Sequence, residues 1–265
     1  MPMPQLDLLQ IALLVVAGLG AGLINTVVGS GSLISFPALL ALGYPPVLAN
    51  VTNNVGVLPG SISGAIGYRH EIRGEWRSFI PLVIFAGIGG AAGALLLLVL
   101  PAEVFKGVVP ALIALACVLV ILGPTLKRRI AARQVLRGAE GGYRGRQREL
   151  GPGVLTATLL TGTYGGYFGA AQGVILLSIL SIALKGSIQR ANAVKNMLAA
   201  AANFAAGAVF VVMTPIDWWA AAIIAVGAVI GGQLGAKLGR RIPELALRIT
   251  IVVVGSLAIF VLLAN

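Results

Sequence analysis

Hydrophobic residues fall along this chain in blocks with few polar positions inside them. The blocks run at approximately 6–28, 31–43, 46–68, 78–100 and 102–124, then at 152–171, 173–185, 187–212, 216–238 and 244–264. A helix rises 1.5 Å per residue, so about 20 apolar residues cross the hydrocarbon core of a bilayer. All but two of the blocks are long enough. The exceptions, 31–43 and 173–185, are read either as steeply placed short helices or as the returning arms of re-entrant hairpins. A break in helix at membrane depth is tolerated only where it is buried in protein or lines an aqueous cavity.

The short blocks lie at corresponding places in two halves. GLINTVVGSGSLISFPALLALGYPPVLANVTNN, residues 22–54, is interrupted by Gly29-Ser30-Gly31-Ser32 and again by Gly43-Tyr44-Pro45-Pro46. The layout returns 142 residues later as GGYFGAAQGVILLSILSIALKGSIQRANAVKN, residues 165–196, so that Gly31 matches Gly173, Asn50 matches Asn192 and Asn54 matches Asn196. The same offset pairs Glu75-Trp76 with Asp217-Trp218 and Pro101 with Pro243. The chain thus divides into a first transmembrane repeat, 1–124, a basic linker, 125–150, and a second repeat, 151–265. Short, Gly- or Pro-interrupted segments in matching positions of two halves point to a transporter's binding site.

Loop charge predicts how the halves are oriented. Arg69, His70, Arg73 and Arg77 make one loop of the first half basic, whereas 43–50 and 101–103 carry no Lys or Arg. In the second half Lys185 with Arg190, and Lys237 with Arg240 and Arg241, are basic, and 213–219 is not. Basic loops stay in the cytoplasm. The expected fold is therefore an all-α integral membrane protein, an inverted-topology repeat of two five-segment halves, each with a broken or re-entrant short helix. Both termini are expected outside and the linker in the cytoplasm. The glycine patterns at 87–93 and 227–235 read as close helix packing, and Trp76, Trp218 and Trp219 as interfacial anchors.

Composition supports the membrane. The chain is 58% hydrophobic and 10% charged, with a mean hydropathy of +0.98, where a soluble domain carries about a quarter charged residues. The opening residues lack the basic region of a cleavable signal, so the first block is expected to be retained. Cys117 is the only cysteine and reads as a small buried hydrophobe. The net charge of +11 is concentrated in the linker, where from Lys127 to Arg148 the chain carries Lys127, Arg128, Arg129, Arg133, Arg137, Arg144, Arg146 and Arg148 against Glu140. That placement fits anionic membrane lipids and argues against a nucleic-acid partner.

The candidate chemistry is that of an anion carrier. Asp7, Glu71, Glu75, Glu103, Glu140, Glu149, Asp217 and Glu244 all fall in loops or at block ends, so no carboxylate is expected at the midplane to serve a cation or proton. His70 is the sole histidine. No cluster has metal-ligand spacing and no nucleophile–base pair stands out, so neither an enzyme nor a cofactor is expected. The intramembrane polar set is neutral or positive: Asn25, Ser30, Ser32, Asn50, Thr52, Asn53 and Asn54, then Gln172, Asn192, Lys195 and Asn196, with Tyr164 and Tyr167 nearby. Asn192, Lys195 and Asn196 share one helix face, as do Asn50, Asn53 and Asn54. Lys195 either snorkels to the interface or faces a polar interior. Short helices starting after Ser32 and Gly173 would aim unpaired N–H groups and positive dipole ends inward, a setting for an anion.

These stretches resemble the sulfite exporter TauE/SafE family of membrane transporters. The resemblance rests on the Gly-rich break, the apolar half-helix, the G-x-P-P turn in GSGSLISFPALLALGYPPVLANVTNNVGVLPGSISGAIGYRH, and the second-half echo. It covers nearly the whole chain apart from the linker. It implies transport, as an exporter, of small sulfur-containing anions such as sulfite, thiosulfate or organosulfonates across the cell (inner) membrane. Where the first copy has Gly-Ser-Gly-Ser, the second has Ala-Ala-Gln-Gly, so the two half-sites are expected to differ. The expected substrate-binding set is Ser30, Gly31, Ser32, Asn50, Asn53, Asn54, Gln172, Gly173, Asn192, Lys195 and Asn196, with alternating access about a midplane site. A non-transporting membrane scaffold is the alternative, and a homo-oligomer is left open.

Overall fold

The computed structural model describes residues 6–140, 151–184, 187–239 and 244–264. Outside these lie residues 141–150 of the basic linker, with Arg144, Arg146 and Arg148, and also Lys185, Arg240, Arg241 and Pro243. Among the described residues the architecture is all-helical, with no strand. Ten α-helices follow in order: α1 (Leu8–Val27), α2 (Ser32–Ala41), α3 (Pro46–Gly67), α4 (Ile80–Val99), α5 (Ala102–Glu140), α6 (Pro152–Tyr167), α7 (Gln172–Ala183), α8 (Ile188–Met213), α9 (Trp218–Leu238) and α10 (Glu244–Ala264). Short 3₁₀ turns at Arg69–Ile72 and Trp76–Phe79 link α3 to α4. Among the described residues five stretches are long and apolar enough to cross a membrane: Leu8–Val27, Trp76–Val99, Ala102–Gly123, Ile188–Met213 and Trp218–Leu238.

Local chemistry explains where helices start. Asp7 accepts from the Gln10 backbone N–H at 2.8 Å while the Gln10 side chain accepts from that of Asp7 at 3.0 Å, a reciprocal box that satisfies two otherwise open donors. Pro46 and Pro152 occupy the first turns of α3 and α6, where the missing N–H costs nothing. Ser187 caps α8 through the Arg190 N–H at 3.2 Å, and Asp217 caps α9. One boundary differs from the sequence pattern. Helix α5 continues past its apolar block through Glu140, because no proline falls between 125 and 140 and its Ala, Leu, Arg and Gln residues favour a helix.

Packing pairs the halves with each other rather than within themselves. Helix α1 lies chiefly on α9 and α4 chiefly on α6; α3 packs on α9 and α4 on α8. These contacts interchange when α1–α5 are swapped for α6–α10. The glycine patterns lie in these seams. A Cβ at Gly90 would run into the carbonyl of Ala202, one at Gly93 into that of Thr163, and one at Gly231 into that of Leu19. Small residues thus allow backbone-to-backbone approach.

Contact levels also give directions. Gly18 and Gly56 both face Ile224, and Gly22 and Gly60 both face Ala228, so α1, α3 and α9 run the same way. Helix α3 runs opposite to α8: Ser61 meets Asn203, whereas Asn54, earlier on α3, meets Gly207, later on α8. The Ser61–Asn203 and Cys117–Gly255 neighbourhoods lie where the two halves cross. Trp76, Trp218 and Trp219 stand exposed at element ends.

Candidate functional site

The two breaks in helix meet. The Gly173 N–H donates to the Gly29 carbonyl at 2.9 Å, and either Cα leaves no room for a Cβ on the other. Gly29 has φ of 89°, and Ala171, its equivalent at the 142-residue offset, has φ of 60°, the one non-glycine with positive φ among the described residues. The left-handed conformation costs an alanine about 1–2 kcal/mol. That the turn is held here without a glycine marks a backbone fixed by its surroundings.

Each break releases a helix whose first turn no side chain caps: α2, preceded by Gly31, and α7, preceded by Ala171. Helix α7 begins at Gln172, so Gly173 sits inside its first turn rather than ahead of it. At this same place Ser30 and Gln172, again equivalent positions, are 0% and 2% exposed, and the Ser30 hydroxyl and the Gln172 amide nitrogen have no hydrogen-bond partner. The Gln172 amide lies over Gly165 and the Ser32 hydroxyl faces Gly169. An unpartnered buried polar group costs about 1–3 kcal/mol, and here two fall at matched positions of the repeat.

The Asn-bearing helices act on the other side of the breaks, at the carbonyl ends of α1 and α6. The Asn50 amide donates to the Tyr167 carbonyl at 2.9 Å, across the halves. In the second half Asn192 and Asn196 both donate to the Thr26 carbonyl at 3.3 Å, and the Lys195 ammonium donates to the carbonyls of Asn25 and Thr26, each at 3.0 Å. Lys195 is fully buried, so it does not snorkel to an interface. Its charge sits against the negative end of the α1 dipole. The first-half asparagines diverge instead of converging. Asn53 accepts from Ser35 of α2, and Asn54 is buried beside Gly207 with its amide oxygen unpaired. The Asn192 amide oxygen is likewise buried and unpaired.

Several residues outside the expected set belong to this neighbourhood. Ser61 accepts from Asn25 at 3.0 Å and from Asn203 at 3.3 Å, joining α1, α3 and α8 at the crossing of the halves. Arg248 of α10 borders a small cavity, about 10 Å³, beside Val28 and Val174, residues that flank the two breaks. Nothing in the pattern of α10 set Arg248 apart from an interfacial arginine. The one signal was its match to Lys106 at the 142-residue offset. An apolar crevice of about 340 Å³ between α5 and α7, lined by Leu119, Leu122, Ile175, Ile179 and Ile182, opens next to it. Among the described residues no three His, Cys, Asp or Glu side chains are grouped to hold a metal ion.

Comparison with known proteins gives the family. The family model described as Sulfite exporter TauE/SafE matches residues 14–262. Curated relatives include a "Probable membrane transporter protein" of Haemophilus influenzae, 29% identical over 237 residues, covering 88% of this chain and 86% of the relative. "Probable membrane transporter protein ORF9" of a Sinorhizobium species is 28% identical over 230 residues, 86% of this chain and 82% of its own. "Probable membrane transporter protein YfcA" of Escherichia coli K12 is 28% identical over 245 residues, 89% and 83% respectively. No solved structure gives a significant match. The chain is a multi-pass membrane protein that belongs to the sulfite exporter TauE/SafE family of membrane transporters.

Proposed function

We propose that this protein exports small sulfur-containing anions, such as sulfite, thiosulfate or organosulfonates, across the cell membrane, binding them where its two helix breaks meet. The observation that carries this is the matched pair of buried, unpartnered groups, Ser30 Oγ and Gln172 Nε2, at the uncapped N-termini of α2 and α7. The first-turn N–H groups of α7 already donate to backbone carbonyls, so the helix starts contribute the positive ends of their dipoles to an oxyanion, and the Ser30 and Gln172 side chains contribute the donors. Lys195, held on the Asn25 and Thr26 carbonyls, and Arg248, which borders the small cavity beside Val28 and Val174, bring two cations to this neighbourhood. Gly31, Ser32 and Gly173 belong to the same breaks, Asn50, Asn192 and Asn196 hold the carbonyl ends of α6 and α1 beside them, and Asn53 and Asn54 line the facing helix.

The access mechanism follows from the repeat. An inverted-topology pair of halves, with residues 1–124 and 151–265 exchanged by a two-fold axis in the membrane plane, presents one site alternately to the two sides. The opposite run of α3 and α8, equivalent helices of the repeat, supports this reading. So does the short length of α2 and α7, which suits returning arms of re-entrant hairpins. With basic loops inside, the 125–150 linker is cytoplasmic and both termini are outside. Purified protein in liposomes loaded with radiolabelled sulfite or thiosulfate tests the proposal. It predicts protein-dependent efflux of at least one sulfur oxyanion over chloride. Efflux no faster than from empty liposomes for every sulfur anion would return the chain to the role of a scaffold.

A further inference from the structure

The acidic residues Glu75 and Asp217 are equivalent positions of the repeat, and the anion site makes no use of either. Each lies in the segment between the third and fourth, or eighth and ninth, helices, and each reaches across to the opposite half. Glu75 forms an ion pair with Arg190, in the first turn of α8, and the Arg190 guanidinium also stacks over the Phe79 ring at 5.7 Å. Asp217 accepts from the Tyr44 hydroxyl at 2.6 Å, just ahead of α3, while its N–H donates to Thr52 of α3 at 3.3 Å. Its other carboxylate oxygen caps α9 through Trp219 and Ala220, both at 3.0 Å.

Because α3 and α8 run in opposite directions, their starts lie at opposite ends of the molecule. The two contacts therefore close opposite ends, each beside exposed tryptophans of the kind that sit at membrane interfaces. Both fasten the helix that bears the asparagines at the helix breaks. We propose that Glu75–Arg190 and Tyr44–Asp217 are the two gates of alternating access, one on each side of the membrane, and that opening a side means parting its own pair while the other holds. This rests on the transport reading above. The gates are unequal in build. Glu75 and Arg190 are 57% and 28% exposed and meet in an ion pair at the surface, whereas Tyr44 and Asp217 are 2% and 3% exposed and Asp217 makes three further hydrogen bonds besides the one from Tyr44. Exposed ion pairs hold weakly and buried charge-assisted bonds strongly. The Glu75 end is thus the one that opens more readily at rest. Burial and the neighbouring carboxylate raise the Tyr44 hydroxyl above its usual range, which keeps it a donor at any working pH.

The repeat supplies matched reporters. Ala49 and Ala191 are equivalent, 0% and 3% exposed, and lie in the first turns of α3 and α8 beside the two gates. In a Cys117→Ala background, Ala49→Cys and Ala191→Cys would be labelled with a membrane-impermeant maleimide in vesicles of both orientations. Tyr44→Phe, which keeps the ring and removes one bond, should raise labelling at position 49 several-fold and leave or lower that at 191. Glu75→Gln should do the reverse. Without either change, position 191 should label faster than 49. Equal rises at both reporters, or none at either, would overturn the gates. Sulfite flux measured on the same preparations separates the two claims. Split labelling with no flux in the parent protein would remove the anion reading and leave the gates. Flux with unsplit labelling would do the opposite.

Discussion

At the scale of single residues, Lys195 changes most between the sequence and the fold. Its spacing with Asn192 and Asn196 marked a polar helix face, but not what that face meets: the α1 carbonyls lie some 170 residues away in sequence. The same holds for Asp217. It reads as a loop acid, yet it is buried because Tyr44, from the other half, supplies a hydroxyl. Composition and spacing fix which residues are unusual; only chain crossing fixes their partners. Lys195→Met should therefore destabilise the protein by about 3 kcal/mol, because two carbonyls lose a charged donor in a dry setting. Thermal unfolding in detergent would read it. A melting temperature within a degree of the parent would mean that those carbonyls find other donors.

At the scale of elements, the hydrophobic blocks predicted the described helices to within a few residues except at the end of α5, since a long apolar run in a bilayer admits little but a helix. The break positions were legible too, from Gly29-Ser30-Gly31-Ser32 and its echo. That the breaks touch was not, because a hydrogen bond between Gly173 and Gly29 leaves no trace in either segment. The extension of α5 to Glu140 was hidden by charge, which ended the apolar block without ending the helix. Helix seams give a paired test. A methyl at Gly90 would strike the Ala202 carbonyl, whereas the space at Gly107 of α5 is open. Gly90→Ala should cost about 1–3 kcal/mol by forcing α4 from α8. Gly107→Ala should instead gain about 0.5–1 kcal/mol, the ordinary helix preference of alanine. Comparing the two melting temperatures checks both signs at once.

At the scale of the whole molecule, the two halves form one body through exchange of contacts, α1 with α9 and α4 with α6, and the family places that body in a membrane as a transporter. The proposed inverted orientation predicts that single cysteines within 213–219 are labelled from outside intact cells and that cysteines within 237–241 are not; the reverse pattern would refute it. The anion site has a sharper test, because Ser30 and Gln172 are buried without partners. Removing an unsatisfied buried polar group relieves a desolvation cost, so a purely structural role predicts a protein that is unchanged or more stable and fully active. The most direct measurement is sulfite efflux from liposomes containing Ser30→Ala or Gln172→Leu protein, alongside its melting temperature. The site at the helix breaks predicts a melting temperature equal to or above the parent's and efflux at least tenfold slower at low sulfite concentration. Parental efflux from both variants would contradict it.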